Sequence, residues 1–184
     1  VFDGVFSNVP GCRRGFFNYR FAQPSRAWGF YPDFVFPFTD LPQTDPVSGI
    51  TDGLLSHLPD SLLPKMFYVH HTGEYWSSGS ALTHASLDGT ADVVLPDNVR
   101  IYTIAGTAHG SAALVDGHPE ASESFLLPFN PNRASLIEVP LLEALGRWVM
   151  FGESPPQSSY PRVDAGELVP LEEYAYPVVP DVES

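Results

Sequence analysis

The sequence predicts an α/β fold, a mostly parallel sheet with flanking helices, on three observations. Residues 65–71 (Lys-Met-Phe-Tyr-Val-His-His) and 99–104 (Val-Arg-Ile-Tyr-Thr-Ile) are short runs rich in β-branched and aromatic residues, the composition of buried strands. Each run ends in a short polar or glycine-containing stretch with one chemically capable side chain, Glu74 after the first and His109 after the second. Open α/β sheets deliver functional groups in this way, from the carboxyl ends of their strands. The clearest helical pattern in the chain then follows at residues 135–152.

In chain order, residues 1–9 alternate loosely and stop at Pro10-Gly11, a strand ended by a turn. The opening Val-Phe-Asp-Gly-Val-Phe reads as a strand already under way, so the first residue is expected to lie inside a longer polypeptide. Residues 11–64 lose periodicity. Ten aromatics, from Phe16 to Phe38, crowd a segment broken by Pro24, Pro32, Pro37, Pro42 and Pro46. No regular element survives that many prolines, yet the stretch is too apolar for a solvated linker. It is expected to pack over a site as a lid-like insertion, with ordinary core packing under a long loop as the alternative. Residues 50–63 are short, with Thr51 or Asp52 as a helix cap. The two strands follow, separated by turn chemistry at His84-Ala-Ser-Leu-Asp-Gly89 and Leu95-Pro-Asp-Asn98. Within 135–152, Leu142, Leu145, Trp148 and Val149 are placed on one face, Pro140 in the first turn and Gly152 at the stop. Residues 153–184, rich in proline and acids, are expected to form an extended surface tail.

A chain of 184 residues with 43% hydrophobic and 13% aromatic content suits one domain or a large part of one. The net charge of −13 argues against nucleic acid, whose phosphates need a basic face. Arg13, Arg14, Arg20 and Arg26 are too few to change that and suit salt bridges. No apolar run approaches the roughly 18–20 residues of a membrane helix, so the chain is read as soluble, with secretion or a periplasmic location left open. The single Cys12 excludes an internal disulfide and a cysteine-built zinc site.

Glu74 and His109 are the residue types of an acid–base pair: a histidine base needs an acid that fixes its tautomer and stabilises the imidazolium. His109 lies among small residues, Gly106, Ala108 and Gly110, which leave its ring room to reach a cleft. Asp88 and Asp92 are rival acids, but both lie in the connection between strands. Tyr75 and Trp76 are candidates for a substrate wall. A nucleophile is not found. The nearest match to a Gly-x-Ser-x-Gly elbow, Gly152-Glu-Ser-Pro-Pro156, has proline in place of the last glycine and follows a helix instead of a strand. If Glu74 and His109 are the acid and the base, the order nucleophile, acid, histidine puts the serine upstream of Val1. For metals, His70 and His71 are strand neighbours that face opposite ways, and His84 and His118 lack partners at chelating spacing. No metal site and no phosphate or dinucleotide loop is indicated, and the chemistry requires no cofactor.

A series of motifs carries a resemblance: Phe2-Asp-Gly-Val5, Phe17-Asn-Tyr-Arg-Phe-Ala-Gln-Pro24, Pro37-Phe-Thr-Asp40, Asp45-Pro-Val-Ser-Gly49, Gly73-Glu-Tyr-Trp76, Val99-Arg-Ile-Tyr102, Ala105-Gly-Thr-Ala-His109 and Ser159-Tyr-Pro-Arg162. In this order they resemble the C-terminal half of a bacterial family known as alpha/beta hydrolase domain-containing proteins. The resemblance implies the C-terminal part of one α/β-hydrolase domain over residues 1–184. Residues 11–64 would be the lid-like insertion, 65–152 the acid- and histidine-bearing strands with the final helix, and 153–184 the tail. It further implies that Glu74 follows the penultimate core strand and His109 the last, and that the serine elbow and oxyanion hole precede Phe2. The activity implied is hydrolysis of a small carboxylic ester, with this stretch inactive alone. Two other possibilities remain open: a non-catalytic binding module using the aromatics around Trp28 to Phe38, and a half-site completed by another chain.

Overall fold

The computed structural model describes residues 2–12, 34–109, 114–115, 118–119 and 130–176. Its centre is a parallel three-stranded sheet of β1 (Gly4–Asn8), β4 (Lys65–His71) and β5 (Val99–Ile104), with β4 in the middle. Gly4 lies opposite Lys65 and Met66 opposite Val99, so β4 and β5 finish together at His71 and Ile104. Two small antiparallel ribbons accompany the sheet. One pairs β2 (Gln43–Thr44) with β3 (Thr51–Asp52), the other β6 (Leu114–Val115) with β7 (His118–Pro119). The fold belongs to the α/β class, as the sequence predicts.

Strand β4 is apolar along most of its length because it is covered on both faces, as parallel strands are. Its odd-numbered residues meet α2 (Ser135–Phe151), the longest helix among the described residues. Leu141, Leu145 and Trp148, at i, i+4 and i+7, close over Phe67, Val69 and Tyr102. The Phe67 ring meets Tyr102 edge-on at 5.1 Å and lies 5.9 Å from Trp148. Lys65 and Arg100 sit over the Trp148 ring at 4.6 and 5.0 Å. Helix α2 comes so close to β1 that a Cβ on Gly4 would stand 2.8 Å from Val149 Cγ2. Phe67→Ala is therefore expected to cost about 3–5 kcal/mol, since the ring is fully buried and three elements meet on it. A urea unfolding midpoint within error of the wild type would contradict that packing.

The predicted face of α2 is corrected in part. Leu145 and Trp148 are buried, but Leu142 is exposed, because it lies about 100° around the helix from Leu141, which takes the central place. Pro140 stands inside the helix instead of in its first turn, and it lacks the N–H that would bond the Leu136 carbonyl. Gly152 ends the helix with φ +70°, and its N–H bonds the Trp148 carbonyl.

The even-numbered side of β4 faces the connections. Tyr68, Val99 and Ile101 gather Met66, Leu55, Leu95 and Tyr160, and the Tyr68 hydroxyl donates to Asp40 at 2.8 Å. Of the predicted insertion, residues 13–33 lie outside the described residues. Thr51 and Asp52 form ribbon strand β3 instead of a helix cap: the Thr51 and Thr44 hydroxyls bond across the ribbon at 2.8 Å. The tail is also more than a surface strand. Ser159 pairs with the free edge of β5, accepting from the Thr103 N–H at 2.8 Å and donating to the Ile101 carbonyl at 2.9 Å. Tyr102 reaches the Pro156 carbonyl, and Arg162 Nε bonds Asp92 at 2.7 Å. A proline-rich segment is already extended, and a serine at the pairing position supplies the N–H that an edge requires. Among the described residues no helix is long and apolar enough to cross a membrane.

Candidate active site

The carboxyl ends of β4 and β5 lie side by side, and the site is built there. A six-residue helix, α1 (Thr72–Ser77), follows β4 directly, where the sequence alone suggested a loop. Glu74 is the third residue of that helix. Its Oε2 reaches back to accept the N–H of His71 at 2.7 Å, the carboxylate half of a capping box. The other oxygen, Oε1, accepts from Nδ1 of His109 at 2.7 Å. Glu74 is 0% exposed, whereas the His109 side chain is 74% exposed. A carboxylate only accepts, so the proton of a neutral His109 sits on Nδ1 and the lone pair on Nε2. Among the described residues no hydroxyl or thiol hydrogen-bonds that Nε2.

The His109 loop is set by small, specific contacts. After β5 the chain turns at Gly106, whose φ of +72° belongs to the left-handed region. Its N–H donates to the Thr72 hydroxyl at 2.9 Å, and its carbonyl accepts from Asn130 at 2.6 Å. Thr107 Oγ1 bonds back to the Ile104 carbonyl at 2.6 Å. Helix α1 and the loop touch at Gly73, where a Cβ would stand 3.1 Å from the His109 nitrogen.

The other predicted site residues are placed differently. The Tyr75 hydroxyl turns inward, to His84 Nε2 at 2.9 Å and Thr103 Oγ1 at 3.0 Å, and burial pushes its pKa up to about 12. Trp76 is 55% exposed and carries Tyr174 and Tyr176 of the tail at 5.1 and 6.2 Å. The rival acids are occupied elsewhere. Asp92 accepts from Arg162 and from the Val163 and Asp164 N–H groups; Asp88 accepts from Ser86 and Thr90.

The two neighbouring histidines of β4 take opposite faces, as alternation requires. His70 stacks on Tyr68 and bonds the Ser80 and Thr83 hydroxyls at 3.1 and 3.3 Å. Burial, reinforced by nearby His84 and His71, holds its pKa down to about 3. His84 lies against Tyr160, and burial pushes it down to about 4, partly offset by Asp92. His71 lies on the α2 side, with Nδ1 2.7 Å from the Ala108 carbonyl and Nε2 3.1 Å from Glu138 Oε1. The sequence raises His71 only as a metal ligand and does not raise Glu138; the signal available is a His-His pair ending a strand and an acid near the start of a helix. Among the described residues no three His, Cys, Asp or Glu side chains gather to hold a metal ion.

An exposed imidazole with its inner nitrogen fixed by a buried carboxylate is equipped to take a proton at Nε2 and to give it back. Comparison with family models, curated proteins and solved structures finds no match for this chain.

Proposed function

We propose that the chain is the acid- and histidine-bearing part of a serine hydrolase of the α/β-hydrolase type, acting on small carboxylic esters. The observation that carries this proposal is the 2.7 Å bond between buried Glu74 and the Nδ1 of exposed His109, at the carboxyl ends of adjacent parallel strands. The acid precedes the histidine in the chain, in the order α/β hydrolases use. The nucleophile would be a serine on a segment N-terminal to Val1. His109 Nε2 would take the serine proton as the hydroxyl attacks the ester carbonyl, then hand it to the departing alcohol. Glu74 would hold the ring and offset the charge of the imidazolium. Water would then repeat the two proton transfers in reverse to release the acid, with no cofactor.

The test is turnover of a short-chain chromogenic ester, with serine-directed fluorophosphonate labelling, on two polypeptides. One is residues 1–184; the other extends N-terminally through a Gly-x-Ser-x-Gly elbow. Labelling and turnover by the longer one alone, abolished by His109→Ala, is the expected result. Labelling of residues 1–184 alone would overturn the upstream serine, and silence from both would overturn the triad.

Gly73→Ala probes the same dyad from its backbone. The added methyl meets the His109 nitrogen at 3.1 Å, so the loop must shift by a few tenths of an ångström. Turnover of the longer polypeptide is expected to fall about tenfold or more, with its melting temperature nearly unchanged. Equal turnover would show that the dyad tolerates the displacement.

One observation favours a second possibility, a non-catalytic binding module. The cluster of Trp76, Tyr174 and Tyr176 is a partly exposed aromatic surface suited to a ring or sugar face. His109→Ala would leave such binding intact.

A further inference from the structure

We infer that His71 is a positioning residue that holds Glu74 and His109 in register, and that Glu138 of α2 orients it. The inference rests on the proposal that these two residues form the working dyad, and it concerns what keeps them together. Among the described residues His71 alone is hydrogen-bonded both to the Glu74 carboxylate and to the peptide before His109. Its backbone N–H donates to Glu74 Oε2 at 2.7 Å, and its ring Nδ1 reaches the carbonyl of Ala108, the peptide that leads into His109, at 2.7 Å. One residue therefore ties the carboxylate to the end of the loop that brings the imidazole to it, beside the Thr72 and Asn130 contacts that hold the loop at Gly106.

The ring chemistry makes this a directional clamp. A carbonyl only accepts, so Nδ1 of His71 carries a proton and donates it to Ala108. Nε2 faces Glu138 Oε1 at 3.1 Å, within hydrogen-bond distance, so the ring has a polar partner at both ends. The ring is 3% exposed, leaving little room for water to substitute for either partner. Without Glu138 the ring keeps its Ala108 bond at one end only and is free to rotate or to change tautomer. Glu138 is in the first turn of α2, the helix whose Leu141, Leu145 and Trp148 are bound to the sheet core. The clamp thus refers the exposed His109 loop to the helix packed on the sheet core, through contacts 37 and 67 residues apart in sequence.

The test reads the tautomer of His109 directly, by nitrogen NMR of the 15N-labelled histidine rings at a pH where His109 is neutral. The protein of residues 1–184 is used, and His109→Gln assigns the signals. In the wild type His109 is expected almost wholly as the Nδ1–H form that Glu74 selects. In His71→Phe and in Glu138→Ala it is expected to become a mixture of the two tautomers, with far-ultraviolet circular dichroism unchanged. Glu138→Gln is expected to restore the Nδ1–H form, because an amide can meet His71 Nε2 as donor or acceptor. A merely structural role would shift the melting temperature and leave the tautomer alone. An unchanged tautomer in folded Glu138→Ala would overturn the inference, as would a mixture already present in the wild type. Should His71→Phe fail to fold, the comparison of Glu138→Ala with Glu138→Gln decides by itself. The readout needs no substrate, so the two proposals can fail separately: a tautomer shift without ester turnover by the longer polypeptide upholds the clamp and sinks the hydrolase, and turnover by the longer polypeptide without a shift does the reverse.

Discussion

Glu74→Gln in the longer polypeptide is expected to lower ester turnover by about four orders of magnitude, the scale seen when a triad acid loses its charge but keeps its shape. The reason lies in the number of acceptors. Glu74 receives two N–H donors, from the His71 backbone on Oε2 and from His109 Nδ1 on Oε1. A glutamine offers one oxygen and one NH₂, so one donor must face another donor. If the oxygen keeps the His71 N–H, which caps α1, the amide NH₂ meets His109, and the ring turns over to its Nε2–H tautomer. The lone pair then points inward and the base is gone. If the oxygen keeps His109 instead, the cap is lost, at a cost of about 1 kcal/mol. Initial rates together with the His109 tautomer distinguish the two outcomes. Turnover within tenfold of wild type would show that His109 does not depend on a buried anion.

Acidification is expected to produce the largest change in stability. His70 and His84 are fully buried, and desolvation holds their folded pKa values at about 3 and about 4, against 6.5 for the ordinary imidazole. Below pH 6.5 the unfolded chain takes up protons that the native state refuses, so stability falls as the pH falls. The loss runs from 6.5 down to about 4, where His84 begins to charge in place, and His70 continues toward about 3. Each group contributes a slope of about 1 kcal/mol per pH unit. Asp92, held low despite its burial by Arg162 and two backbone N–H groups, acts in the same direction at more acid pH. Asp40 opposes them, because burial raises its pKa and the native state keeps a proton that the unfolded chain has lost. One carboxyl stands against two imidazoles, so the net result is acid unfolding. Urea midpoints across this range should fall steadily, and His84→Phe should flatten the fall. A flat profile between pH 6.5 and 4 would mean that the two rings are not held neutral.

The candidate site was legible in the sequence to the extent that it follows a strand. Glu74 and His109 stand just beyond runs whose composition marks them as buried strands, and parallel strands in register must finish side by side. The same alternation separated His70 from His71. Their partners were not legible. Ser80 and Thr83 are about ten residues from His70, but Ala108 and Glu138 are 37 and 67 residues from His71, and no local pattern encodes such distances. In the sequence Tyr75 and Trp76 stand together as candidates for a substrate wall, whereas a helix forms there and rotates each residue by about 100°. That rotation sends the Tyr75 hydroxyl in to His84 and Thr103 and leaves Trp76 outside.

By itself, then, the sequence determined the class of fold, the two strands, the long helix and the placement of Glu74 and His109 just beyond neighbouring strands. These follow from period, composition and punctuation, which act over a few residues. Only the tertiary structure decided that Asp92 belongs to Arg162 and not to His109. It also decided that the tail closes the edge of β5, that Leu141 and not Leu142 meets the sheet, and that His71 joins both halves of the dyad. Each of these depends on which distant groups arrive at the same place with complementary donors, acceptors or shapes, and packing alone settles that.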